Sequence, residues 1–196
     1  GKVKNNSKII LDYAHTPDAL KTVLENLRNQ FPHKKISIVF GCGGDRDKTK
    51  RLSMGKIADK FCDTIYLTDD NPRNENPKMI RKEIKKGIRY KTINEISDRK
   101  LAIKTAIVNL KCSEILLVAG KGHETTQIYK NKVRFFSDKE IILSSIKYKN
   151  KFLSNNLKLN IIKESSNSNL SFKNLKIRKV IINSKEVKKD DIFFTI

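Results

Sequence analysis

Tryptophan is absent from this chain, and cysteine is scarce, with three residues in 196. The three, Cys42, Cys62 and Cys112, are odd in number and none has a neighbour at metal-ligand spacing. That excludes a disulfide framework and a zinc site built on paired Cys and His. Each reads as a reduced, small core or loop residue, which suits a reducing cytosol. No apolar run reaches the roughly 20 residues of a membrane span, and no signal peptide is visible. The Gly-x-x-x-x-Gly-Lys-Ser/Thr loop that cradles a nucleotide triphosphate is also missing. Acidic residues are few: 21 against 42 basic ones, a net charge of +21. Charge of that size invites a reading as a basic α/β nucleic-acid-binding domain. Against it, the lysines are scattered through a Lys-, Asn- and Ile-rich composition and no interleaved aromatic platform appears. The chain does not begin with Met and stops inside a strand-like run, Asp191-Ile192-Phe193-Phe194-Thr195-Ile196. It is therefore expected to be a piece of a longer polypeptide.

What is present is an alternation of strand and helix signals. Lys8-Ile9-Ile10-Leu11, Ile36 to Phe40, Thr64 to Thr68 and Ile115 to Ala119 read as strands. Pro17 suits a helix start, with Leu20, Val23, Leu24 and Leu27 at helical spacing behind it. Further helices are expected over Leu52 to Phe61, with Leu52, Ile57, Ala58 and Phe61 facing inward, over Asn76 to Ile88, and from Ser97 or Asp98 through Leu110. Gln127-Ile128-Tyr129 and Val133 to Phe136 flank Lys130-Asn131-Lys132 as a hairpin. Ser137 to Glu140 reads as a capping box opening another helix. Alternating β and α units of this length predict an α/β, Rossmann-like fold: a mainly parallel sheet with helices on both faces and an antiparallel edge hairpin.

Several strand ends carry chemistry, and in an open parallel sheet the carboxyl ends of strands are where ligands bind. Asp69-Asp70-Asn71-Pro72-Arg73 offers an amide and a guanidinium. Gly120-Lys121-Gly122-His123-Glu124 offers two glycines, an ammonium, an imidazole and a carboxylate. Together they can hold a small zwitterion, a cation for its carboxylate and an anion for its ammonium. Gly41-Cys42-Gly43-Gly44-Asp45-Arg46 can form an anion cradle or a plain strand-to-helix turn. Its charges Asp45, Arg46, Asp47 and Lys48 favour a ligand. It is not the dinucleotide fingerprint, because Arg46 occupies the third glycine position. Asp12, in Asp12-Tyr13-Ala14-His15-Thr16-Pro17-Asp18, can take ribose hydroxyls or make a turn. His15 follows it, and His33 belongs to a surface loop.

The runs Asp12 to Leu20, Phe40 to Lys48, Asp70 to Arg73 and Val118 to Glu124 resemble, in order and spacing from about Lys8 to Ile146, the carboxy-terminal domain of a Mur ligase. The resemblance implies an ATP-dependent amide ligase of peptidoglycan biosynthesis, working in the cytoplasm. Such an enzyme adds meso-diaminopimelate to UDP-N-acetylmuramoyl-L-alanyl-D-glutamate through an acyl phosphate. In this family the Asp70-Asn71-Pro72-Arg73 run is the recognition motif for diaminopimelate. Arg46, Asn71, Arg73, Gly120 and Glu124 would bind that amino acid; Asp12 would lie against the ATP ribose, with His15 near the nucleotide. The family's phosphate loop and magnesium ligands belong to a central domain that this chain does not contain. ATP and Mg2+ would thus be held mainly elsewhere, and no catalytic side chain or metal ligand is expected here. No nucleic-acid or membrane partner is implied.

Composition shifts near Tyr148. Residues 1–148 are expected to form the amino-acid-binding domain and 149–169 a polar linker. Residues 170–196 are expected to form a short β-rich tail with two strands around Lys185 to Asp190. The tail run from Val180 to Phe194 resembles the start of the uridine-nucleotide-binding domain of a second Mur ligase. Asn183-Ser184-Lys185 stands there in place of the usual Asp-Ser-Arg, which weakens the match. A fused two-ligase polypeptide, cut inside the second enzyme, is the expectation.

Overall fold

The computed structural model describes residues 3–166 together with 180–181 and 192–193. Five parallel strands form one sheet in the order β1-β5-β2-β3-β4. They are β1 (Lys8–Asp12), β2 (Ile36–Phe40), β3 (Thr64–Leu67), β4 (Thr92–Glu95) and β5 (Ile115–Ala119). Every residue of β2 and β5 is buried, as a strand covered on both faces requires. Alternate side chains then serve two cores. Ile36, Ile38, Phe40, Leu117 and Ala119 pack with α1 (Pro17–Gln30), α2 (Thr49–Phe61) and α3 (Pro77–Lys85). Val39, Tyr66, Leu116 and Val118 pack with α4 (Arg99–Asn109) and the start of α5 (Asp138–Ser166). Each fully buried Leu, Ile or Val contributes about 1.5–3 kcal/mol, so these central strands hold the strand ends rigidly.

The helix starts follow their caps. Thr16 accepts from Ala19 N–H ahead of Pro17, Asn76 from Lys78 N–H ahead of Pro77, Asp98 from Leu101 N–H and Ser137 from Glu140 N–H. Each satisfies a backbone donor that the first turn leaves free.

Three expectations change. Leu52 is 40 % exposed, whereas Ala58 is buried as expected, Ile57 and Phe61 pack partly buried against the core, and Met54 and Gly55 are buried besides. β4 is a strand the sequence reading passed over. It lies at the sheet edge, its burial is at most partial, and only Ile93 in it is apolar. The hairpin β6 (Thr126–Tyr129) and β7 (Lys132–Phe135) is antiparallel. It forms its own two-stranded sheet, joined by a single bridge between Arg73 and Tyr129.

α5 runs on to Ser166, through most of the stretch read as a linker. Lys149, expected to be solvated, is buried and its ammonium donates to the carbonyls of Ile107, Val108 and Leu110. It thereby satisfies the carbonyls that the end of α4 leaves open. Two compact units divide between Asn155 and Asn156. In the second, β8 (Val180–Ile181) and β9 (Ile192–Phe193) pair in parallel. The remainder of the expected tail lies outside the described residues.

Candidate functional site

The chain steps outward from β1 to β2, β3 and β4, then returns through α4 to place β5 between β1 and β2. A reversal of this kind leaves a crevice at the carboxyl ends of the neighbouring strands. A cavity of about 610 Å³ lies there. The loops after β1, β2, β3 and β5 line it, contributing among others His15, Arg46, Asp70, Asn71, Arg73, Gly120 and Glu124. Seven of the nine residues singled out from the sequence thus meet at one cavity. Asp12 and Pro72 do not line it. The Asp12 carboxylate accepts from Ala14 N–H at 2.8 Å, and so closes the turn carrying Tyr13 and His15. Pro72 is buried behind the loop.

The loops after β2 and β3 are locked together. The Asn71 carbonyl accepts from Gly44 N–H at 2.9 Å. A Cβ at Gly44 would run into the Pro72 carbonyl, so glycine permits this approach. Asp45 N–H donates to Glu75 at 2.6 Å, and the Asp45 carboxylate accepts from the Asn74 side chain at 2.8 Å. Beneath them Arg51, 1 % exposed, spans both oxygens of Glu75 at 2.8 and 3.0 Å. It also reaches Glu83 at 2.7 Å and the Gly43 carbonyl at 3.3 Å. The Arg51 hydrogen bonds, first among the causes, pull the Glu75 carboxyl down to about 2.

Arg73 sits at φ +51°. Its backbone is held by the hairpin: its N–H donates to the Ile128 carbonyl at 3.1 Å, and its carbonyl accepts from Lys130 N–H at 2.6 Å. One guanidinium nitrogen, Nη1, donates to the Gly44 carbonyl at 2.9 Å. Among the described residues the other guanidinium nitrogens have no partner, so a planar face of donors remains for a ligand carboxylate. Arg46 is exposed at the rim and donates only to the carbonyl of Asp45.

The Gly120 loop supplies the opposite charge. Gly120 has φ +111°, and a Cβ there would stand 2.8 Å from Asp70 Oδ2. Glu124 Oε2 accepts from Asn71 Nδ2 at 3.1 Å and from Lys121 Nζ at 3.2 Å. Sequence reasoning offered Lys121 as a cation for the ligand. The structure instead buries it completely, bonded to Asn71 Oδ1 at 2.8 Å and the Thr126 carbonyl at 2.8 Å. His123 is exposed and packs beside Tyr13, with ring centres 5.5 Å apart. Cys42 lines the cavity wall and is buried; burial pushes its thiol up to about 12. Arg51, Glu75 and Lys121 organise the site; the sequence singled out neither Arg51 nor Glu75, and read Lys121 as a ligand-facing cation. Only Lys121, between two glycines in a named run, carried a local signal.

A family model described as "Mur ligase, glutamate ligase domain" matches residues 1–122. The UDP-N-acetylmuramoyl-L-alanyl-D-glutamate--2,6-diaminopimelate ligase of Rickettsia typhi is 55 % identical over 139 residues, covering 70 % of this chain and 28 % of that protein. The ligase of the same name from Buchnera aphidicola is 50 % identical over 149 residues, 76 % of this chain and 29 % of that one. A solved structure of such a ligase superposes with a TM-score of 0.67 at 40 % identity, covering 71 % of this chain and 29 % of the other. This chain therefore spans under a third of the length of the relatives it matches. With the matched model covering more than half of it, the chain belongs to the Mur ligase family, as its glutamate ligase domain.

Proposed function

We propose that this chain is the amino-acid-binding domain of an ATP-dependent amide ligase that adds meso-diaminopimelate to UDP-N-acetylmuramoyl-L-alanyl-D-glutamate in the cytoplasm, in peptidoglycan biosynthesis. The observation that carries the reading is the convergence of Arg73, Asn71, Gly120 and Glu124 on one cavity. Diaminopimelate differs from lysine by a second carboxylate, so its far end is a zwitterion. Arg73 takes that carboxylate through two parallel hydrogen bonds, aided by the Asn71 amide. Glu124 and the Gly120 carbonyl take the ammonium, with Asp70 beside them. A lysine substrate leaves Arg73 facing the cavity unpaired, which is how the site rejects it. Arg46 at the rim faces the rest of the amino acid.

In a ligase of this class ATP converts the acceptor carboxylate to an acyl phosphate, and the bound amine displaces phosphate to give the amide. The residues of this chain orient that amine. His15 on the cavity wall, with Asp12 bracing its turn, forms this domain's side of the nucleotide site. No triphosphate cradle is present in the sequence. Among the described residues no group of three or more His, Cys, Asp or Glu is arranged to hold a metal ion, so no step is assigned to magnesium here. The domain limits read from the sequence, 1–148, 149–169 and 170–196, are part of this proposal, as is the reading of the tail as the start of a second, fused Mur ligase.

Nuclear magnetic resonance titration of the chain with meso-diaminopimelate tests the reading. Shifts are expected at Asn71, Arg73, Gly120 and Glu124. No shift at millimolar ligand, or shifts confined to another surface, would overturn it.

A further inference from the structure

Lys121 stands at the cavity without lining it. Its ammonium is fully buried and surrounded by Asn71 Oδ1, Glu124 Oε2 and the Thr126 carbonyl, with Asp70 Oδ1 at 3.6 Å. Two consequences follow from that placement. The first is polarity. Asn71 Oδ1 accepts from Lys121 and from Ile128 N–H at 3.1 Å. The amide is therefore held with its oxygen inward, and Nδ2, a donor, meets Glu124 at the cavity. Glu124 in turn spends Oε2 on Lys121 and Asn71, and Oε1 is left to accept from a ligand. Donor and acceptor are thus presented side by side in a fixed order.

The second consequence is charge. Two carboxylates, Asp70 and Glu124, and the Arg73 guanidinium line the cavity from the loops after β3 and β5 that surround Lys121, while Arg46, Asp47 and Lys50 line it from the loop after β2 and the start of α2. Around Lys121, the charges of Asp70, Glu124, Arg73 and Lys121 itself sum to zero; without Lys121 they sum to minus one. A neutral set of fixed charges matches a zwitterionic group, whereas an anionic set matches a lone ammonium.

We propose that Lys121 is a positioning residue that fixes the Asn71 amide and neutralises one of the two carboxylates, so that the cavity selects a zwitterionic side-chain end over a lone ammonium. This rests on the ligand class proposed above. The ligand does not touch Lys121; its effect passes through Asn71, Glu124 and Asp70.

Calorimetric titration of the 196-residue chain with meso-diaminopimelate and with L-lysine tests the proposal. The wild type is expected to prefer diaminopimelate. Lys121→Gln keeps an N–H donor for Asn71 Oδ1 and the Thr126 carbonyl but removes the charge. The preference should fall about tenfold or more, with diaminopimelate weakened and lysine unchanged or tighter. A purely structural role would weaken both ligands by the same factor. The double variant Lys121→Gln with Asp70→Asn restores neutrality and is expected to keep most of the wild-type preference. It also carries the test if the single variant does not melt cooperatively. An unchanged preference in Lys121→Gln, equal loss of both ligands, or loss of preference in the neutral double variant would overturn the role of Lys121. A wild type without preference would instead overturn the ligand class.

Discussion

At the scale of single residues, the site works by committing some polar atoms to the protein and leaving others for a ligand. Arg73 is anchored by one guanidinium nitrogen and by its backbone on the hairpin, so its remaining donors are held in place before a ligand arrives. That preorganisation is why Arg73→Lys is expected to fail in part: an ammonium cannot reproduce the planar fork. Arg73 and Asn71 were legible in the sequence because their run follows a strand. Lys121 was legible only as a charge, since nothing local says whether an ammonium faces the ligand or the core. The cysteines give a separate prediction. Burial raises the Cys42 thiol to about 12 and raises Cys62 as well, while Cys112 is exposed. Because the thiolate is the nucleophile, native protein treated with iodoacetamide at pH 8 should be alkylated rapidly at Cys112 alone. Mass-spectrometric mapping checks this; early labelling of Cys42 would show that the cavity wall opens.

At the scale of elements, the two loops after β2 and β3 act as one body because Arg51 and Glu75 clamp them from below. The Glu75 carboxyl lies at about 2 in the fold against an ordinary 4.5. Its folded value is depressed, so its contribution is fully present above about 4.5 and is lost as pH falls towards 2. Glu75→Gln should therefore lower stability at neutral pH and flatten the pH dependence between 4.5 and 2, as followed by urea unfolding at each pH. An unchanged slope would mean that Arg51 does not rely on Glu75. The sequence could not announce this clamp: Arg51 lies in a basic stretch, Lys48 to Arg51, that reads as a solvated helix face. The regular elements were easier. The central strands β2, β3 and β5 were the plainest, because their apolar runs are buried; β1 lies at an edge with only Ile9 buried, but its Ile9-Ile10-Leu11 run still marked it. β4 escaped because it is short, half-exposed and at an edge. The hairpin was readable from its turn, but not its separation from the main sheet, which depends on a distant bridge to Arg73.

At the scale of the molecule, the chain spans under a third of its relatives' length, and its proposed role is to hold one substrate for chemistry assembled with other parts. With no phosphate loop in its sequence, the isolated chain should release no phosphate from ATP above a no-enzyme control, even with diaminopimelate and the UDP-linked dipeptide present. Release requiring all three substrates would contradict the role of a binding domain. The most direct test is the ratio of kcat/KM for meso-diaminopimelate to that for lysine, in the whole ligase proposed to contain this domain, before and after Arg73→Ala. Charge-assisted hydrogen bonds contribute about 1.5–3 kcal/mol each, so loss of the pair should reduce that ratio by about a hundredfold or more, with KM for ATP nearly unchanged. A ratio that survives the substitution would mean that Arg73 does not read the second carboxylate, and the site assigned here would be wrong.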